Sequence, residues 1–327
     1  MKTRAILLFL ISLLASGLHA TKVGYAFSGG GARGLAHIGI LKVLEEEGIR
    51  PDYIAGTSIG AIIGGLYAIG YSASEIESIM LSWDTSNLMS DSYKRRELYV
   101  GQKRWSPYGN ISMELDSDWN PSFPTSVYTG NNLNLELARI FAPASGITDF
   151  SKLPIPFSCV ATDLVSGDPV IFDSGSLMQA VRASISIPSI MKPFEIGSRL
   201  YIDGGISQNL PIDQVRQMGA ETIIALKVNS DLRSRDKLNS LVAVLDQTIN
   251  IGMTRNVSKQ CEDSAVLLEP DLEDFTAQSF DQTARIIQAG RRCASCGSTK
   301  RIGLTMWGAE SRTISRSRSD FRTSRKS

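Results

Sequence analysis

The stretch Tyr53-Ile54-Ala55-Gly56-Thr57-Ser58-Ile59-Gly60-Ala61-Ile62-Ile63-Gly64-Gly65 decides how this chain is read. A short β-branched and aromatic run ends at Gly56 and an apolar helical run begins at Ile59, so Ser58 stands at a turn from strand to helix. Glycine lies two residues away on either side, at Gly56 and Gly60. Such a G-x-S-x-G turn lifts a hydroxyl clear of the backbone, because residues without a Cβ let the flanking segments pass closely. The same five residues also suit an ordinary strand-to-helix turn with Ser58 as N-cap, so the pattern needs support from elsewhere in the chain.

Immediately upstream, residues 22–28 read as a strand, the run Gly29-Gly30-Gly31-Ala32-Arg33-Gly34 breaks it, and residues 35–47 resume with helical spacing. Leu35, Ile38, Leu41 and Leu44 form one stripe, Gly48 is the expected C-terminal stop, and Pro51 prevents continuation. Residues 59–69 are apolar on nearly every face, which is the mark of a buried helix. Strand, helix, strand, helix with short links implies a right-handed parallel unit.

The glycine run fits G-x-G-x-x-G, but a dinucleotide site expects an acidic residue at the carboxyl end of the second strand. That strand ends in Gly56-Thr57-Ser58 and Asp52 lies at its other end, so no nucleotide cofactor is expected. Consecutive amides at a helix start instead suit an oxyanion hole facing Ser58 from the adjacent parallel strand.

A serine nucleophile needs a base, and the chain has two histidines. His19 falls in the N-terminal apolar segment, and His37 lies on the helix beyond the glycine loop, where a packing role is expected. An acid must then act directly. Asp203 is the choice, since it ends a short strand over residues 199–202 and is followed by Gly204 and Gly205; Asp163 is the fallback. An Asp-Gly turn is the competing account of Asp203. An aspartate of ordinary pKa near 3.9 is a weak base, so burial has to raise it.

The 327 residues, 43% of them hydrophobic, suffice for one large α/β core. A net charge of +1 argues against a nucleic-acid partner, and four scattered cysteines do not make a disulfide framework. Lys2 and Arg4 before an apolar run read as a signal peptide over residues 1–20, hence an exported, periplasmic or secreted protein. Ser74 and Glu77 suggest a capping box. Residues 84–130 read as a cap or lid insertion, helices are expected over 133–141, 177–183, 238–260 and 280–289, and strands over 157–162, 169–172 and 222–228. The catalytic domain spans 21–290, and 291–327 is a basic tail too polar to order itself.

With these pieces in order, the chain resembles the bacterial patatin-like phospholipases of the secreted type. The residues that carry the resemblance are 29–34, 56–60 and Asp203-Gly204-Gly205, with further similarity in Ala161-Thr162-Asp163, residues 183–188 and Asn209-Leu210-Pro211. The resemblance implies a three-layer α/β/α patatin-like sandwich with a mostly parallel sheet. It also implies a Ser58–Asp203 dyad, an oxyanion hole from the glycine loop, and hydrolysis of lipid acyl esters at a membrane surface with no metal or cofactor. An acyltransferase sharing the acyl-enzyme, and a catalytically silent membrane-associated module, are the alternatives. Secreted members of this kind continue into an outer-membrane β-barrel, so the basic tail reads as a replaced or out-of-frame C-terminus.

Overall fold

The computed structural model describes residues 21–88, 114–115, 121–122, 126–229 and 266–295, with single positions at 235, 247, 251, 254 and 257. The leader at 1–20, most of the insertion at 84–130, most of the helix expected over 238–260 and the tail beyond Ser295 lie outside the described residues.

Side-chain alternation in the first strand sets the layers, since a strand that is apolar on both sides belongs in the middle of a sheet. In β1 (Val23–Phe27), Tyr25 and Phe27 enter one buried cluster while Ala26 enters a second on the opposite face. The glycine run forms a short 3-10 turn over Gly31–Leu35 and leads into helix α1 (Ala36–Glu46), which ends before Gly48 at φ +73°. Strand β2 (Tyr53–Thr57) returns parallel to β1, and helix α2 (Ile59–Ala68) is buried along its whole length.

Helix α3 (Ala73–Leu81) corrects one expectation: its capping box is Ser72 with Glu75, in place of Ser74 with Glu77. The S-x-x-E pattern occurs twice in this stretch, and the register that buries Ala73, Ile76 and Met80 selects the first copy. Glu77 instead forms an ion pair with Lys42 on α1.

Two small strands, β3 (Glu114–Leu115) and β4 (Pro121–Ser122), pair with each other, and β5 (Ser126–Tyr128) precedes helix α4 (Asn131–Phe141). Next come β6 (Phe157–Asp163), β7 (Pro169–Phe172), helix α5 (Leu177–Ser184), β8 (Ser189–Met191), β9 (Phe194–Ile196) and β10 (Arg199–Asp203). Helix α6 (Ile212–Gln217), β11 (Thr222–Leu226), β12 (Val266–Leu268) and helix α7 (Thr283–Ser295) complete the order. The main sheet has eight strands, in the order β12-β11-β1-β2-β6-β10-β9 with β7 beside β6, and β5 pairs with β8 separately.

Strand β6 carries the feature that positions the site. Thr57 of β2 pairs with Val160 in parallel, Asp203 of β10 pairs with Ala161 in antiparallel, and β7 pairs with Cys159, Val160, Ala161 and Thr162. Since a residue has only two ladder edges, β7 must hold one edge of β6 while β2 and β10 share the other. Strands β2 and β10 therefore run toward each other and end at neighbouring residues of β6.

Glycines let the outer layers close. A Cβ on Gly24 would lie 1.9 Å from Val215 Cγ1 of α6, and one on Gly39 would lie 1.9 Å from the Ile287 carbonyl oxygen of α7. Likewise a Cβ on Gly290 would lie 2.0 Å from Ala36 O. Gly290 is thus a packing glycine within α7; the helix runs on to Ser295, past the boundary expected at 290, and Arg291 reaches Glu46 at 2.9 Å. Gly39→Ala is expected to cost about 1–3 kcal/mol by forcing α1 and α7 apart, read as a lowered urea midpoint.

Candidate active site

The serine turn is held by backbone geometry that few residues tolerate. Ser58 has φ +55° and ψ −128°, and it is the one non-glycine residue with positive φ among the described residues. Its N–H donates to Ser184 Oγ at 2.9 Å, and that hydroxyl donates in turn to Val160 O at 2.5 Å. The flanking glycines are required by contact: a Cβ on Gly56 would lie 2.5 Å from Gly60 O, and one on Gly60 would lie 2.6 Å from Phe27 O. Ser58 occupies the N-cap position of α2, yet its hydroxyl makes no capping bond. It donates instead to Asp203 Oδ2 at 2.6 Å.

Asp203 is fixed from both ends. Its N–H donates to Ser186 O at 2.9 Å, while Oδ1 accepts from the Gly205 N–H at 2.8 Å. A Cβ on Gly204 would lie 2.0 Å from Val160 O, so only glycine lets the turn after β10 cross β6 this closely. Burial pushes the Asp203 carboxyl up to about 6, against the lowering effect of its bonds from Ser58 and Gly205. Asp163 is placed differently: its carboxylate accepts from the amides of Val165 and Ser166 at 2.9 and 3.2 Å, within its own turn. Those bonds lower its pKa, so the fallback acid is a turn-former and not a partner of Ser58.

The glycine loop is divided among several tasks. The Gly29 N–H is shared by Asn209 O at 3.3 Å and Asn209 Oδ1 at 3.1 Å, and the Ala32 N–H donates to Ala277 O at 2.8 Å. Among the described residues the amides of Gly30 and Gly31 make no hydrogen bond. Gly31 has φ +59°, and a Cβ there would lie 2.5 Å from Ala277 O. Arg33 Nε donates to Phe275 O at 2.7 Å, which ties the loop to the segment before α7. Gly34 admits Ile59, whose Cγ2 would lie 2.1 Å from a Cβ at that position.

The sequence model of the family described as patatin-like phospholipase matches residues 25–216, a span that takes in the glycine loop, the serine turn and Asp203. The chain belongs to the patatin-like phospholipase family. It is 33% identical over 222 residues to patatin-like phospholipase domain-containing protein 6 of Mus musculus, covering 67% of this chain and 14% of that protein. With lysophospholipase NTE1 of Kluyveromyces lactis it shares 29% identity over 303 residues, covering 85% of this chain and 19% of that one. The chain thus spans less than a fifth of the length of these curated relatives. Among solved structures, VipD from Legionella pneumophila superposes with a TM-score of 0.49 at 12% identity, covering 84% of this chain and 66% of that one.

In this patatin-like domain His37 is a packing residue. Its Nε2–H donates to Ser28 O at 2.9 Å, its ring meets Phe27 edge-on, and burial pushes its pKa down to about 4, so it is neutral at physiological pH.

Four site residues had no role assigned from sequence: Ser184, Ser186, Asn209 and Thr162. Their only signal is that they lie in the runs 183–188, 209–211 and 161–163 that match the family. Arg182, fully buried on α5, donates to Ser186 Oγ at 2.6 Å, and Thr162 Oγ1 donates to Asp203 O at 2.9 Å. Asn209 is fully buried, and its Nδ2 has no partner among the described residues. An orphaned donor of this kind costs about 1–3 kcal/mol, whereas one added acceptor contributes about 1 kcal/mol.

Proposed function

We propose that this protein is a serine lipid acyl hydrolase of the phospholipase or lysophospholipase type, of the bacterial secreted kind, acting at a membrane surface. The observation that carries this reading is the 2.6 Å hydrogen bond from Ser58 Oγ to a buried Asp203 whose pKa is raised to about 6. At neutral pH that carboxylate is ionised, and it is a stronger base than an exposed aspartate.

Ser58 Oγ attacks the ester carbonyl as its proton passes to Asp203 Oδ2. The negative charge that forms on the carbonyl oxygen is met by the Gly30 and Gly31 amides, donors of a kind typically worth about 3 kcal/mol each. Collapse of the tetrahedral intermediate expels the lysolipid or alcohol oxygen, which takes the proton from Asp203. Water then enters, gives its proton to Asp203, and releases the fatty acid from Ser58, which recovers its proton. An acyl acceptor other than water turns the same cycle into acyl transfer.

A panel of lysophospholipids, diacyl phospholipids and neutral glycerides tests the reading through released fatty acid. Wild type is expected to release acid from at least one phospholipid class and Ser58→Ala from none. Wild type inert toward every lipid ester would point to a silent membrane-associated module. Export is supported by the charged and apolar run in residues 2–20. In fractionated cells the protein is expected outside the cytoplasm, with an intact mass that begins at Thr21 or Leu18; a cytoplasmic full-length chain contradicts this.

A further inference from the structure

One short segment ties together every part of the candidate site. Asp203 accepts from Ser58 Oγ, Gln208 O accepts from Thr57 Oγ1 at 3.0 Å, and Asn209 accepts from the Gly29 amide. The position that a Cβ of residue 29 would occupy lies 2.7 Å from Asn209 Oδ1 and 2.9 Å from Ser58 Cβ, so the three residues meet at one point.

The Asn209 backbone carbonyl already satisfies the Gly29 amide. The side-chain oxygen is a second acceptor for the same hydrogen, at the shorter distance of 3.1 Å. What the second acceptor adds is direction: two acceptors on one hydrogen fix the plane of the peptide before Gly29, and with it the path of the next two amides.

We propose that Asn209 is the positioning residue of the glycine loop, holding the Gly29 amide so that the Gly30 and Gly31 amides face the carbonyl oxygen of the ester attacked by Ser58. This rests on the reading of Ser58 as the nucleophile.

The test uses the full chain as wild type, Asn209→Ala and Asn209→Asp, with p-nitrophenyl butyrate as substrate and a trifluoromethyl ketone as transition-state analogue. Asn209→Ala is expected to melt within about 3 °C of wild type, to lose about 100-fold in kcat with KM changed less than about threefold, and to bind the analogue more weakly by the factor lost in kcat/KM. Asn209→Asp is close to isosteric and keeps an acceptor for Gly29, so it is expected to bind the analogue more tightly than Asn209→Ala does. Should the alanine variant fail to fold, Asn209→Leu, close in volume and without an acceptor for Gly29, takes its place with the same expected losses.

An alanine variant with kcat within about threefold of wild type, a loss confined to KM, or a fall in kcat without loss of analogue affinity overturns the proposal. So does an aspartate variant that binds the analogue no better than the alanine variant. Wild type that turns over no ester and takes no label on Ser58 refutes the underlying hydrolase reading instead, and the two failures are thereby told apart.

Discussion

Ser58→Ala and Asp203→Asn are each expected to lower kcat toward a lysophospholipid or p-nitrophenyl ester by about 10⁴-fold or more, with the fold intact. The size follows from the site having no second base in reach among the described residues. His37 is spent on Ser28 and neutral, Asp163 is spent on its own turn, and the Ser58 hydroxyl donates to Asp203. Alanine at 58 keeps the Ser184 bond, which runs to the backbone N–H, so the turn survives without its nucleophile. Asparagine at 203 fills the same volume but cannot take a proton at neutral pH. Steady-state kinetics with thermal melts check both variants, and an Asp203→Asn enzyme within about tenfold of wild type contradicts the dyad.

The second large effect is a pH dependence in which activity and stability move in opposite directions. Activity needs the Asp203 carboxylate, so kcat is expected to rise through an acid limb near pH 6. Stability responds with the other sign. The folded pKa of about 6 lies above the ordinary 3.8, so the folded state binds this proton more tightly. The contribution is full below about pH 4 and is lost as pH rises through about 6, a change of about 3 kcal/mol. His37 offsets this in wild type. Its folded pKa of about 4 lies below 6.5, so its contribution is present above 6.5 and is lost as pH falls through about 4. The informative quantity is therefore the difference between Asp203→Asn and wild type in denaturant midpoint. That difference is expected to grow from pH 4 to pH 7 in favour of the variant; a flat or falling difference contradicts a buried, charged Asp203.

The parallel core was legible because its signals are local. Apolar spacing in residues 35–47 and 59–69, β-branched runs before each, and glycines at the turns specify the first two strands and helices with little help from distant residues. Asp203 was legible for a chemical reason, since a chain this poor in histidine leaves a serine few bases. The way Asp203 reaches Ser58 was not legible. It depends on β10 sharing one edge of β6 with β2, a register set by the pairing of residues 161–163 with 201–203. The two copies of S-x-x-E near α3 are likewise equal in sequence, and only burial of Ala73, Ile76 and Met80 separates them. The continuation of α7 past 290 was not legible either, because what Gly290 packs against, Ala36, lies far away in sequence. Asn209 gave no periodic or compositional sign, because its partner Gly29 lies 180 positions away in sequence.

The central claim is that Ser58, activated by Asp203, is the nucleophile. Peptide mapping of the adduct formed with a fluorophosphonate probe tests it most directly. A single adduct on Ser58 is expected, formed faster as pH rises through about 6 and lost in Asp203→Asn. An adduct on another residue, or labelling of Ser58 that is unchanged in Asp203→Asn, would contradict it.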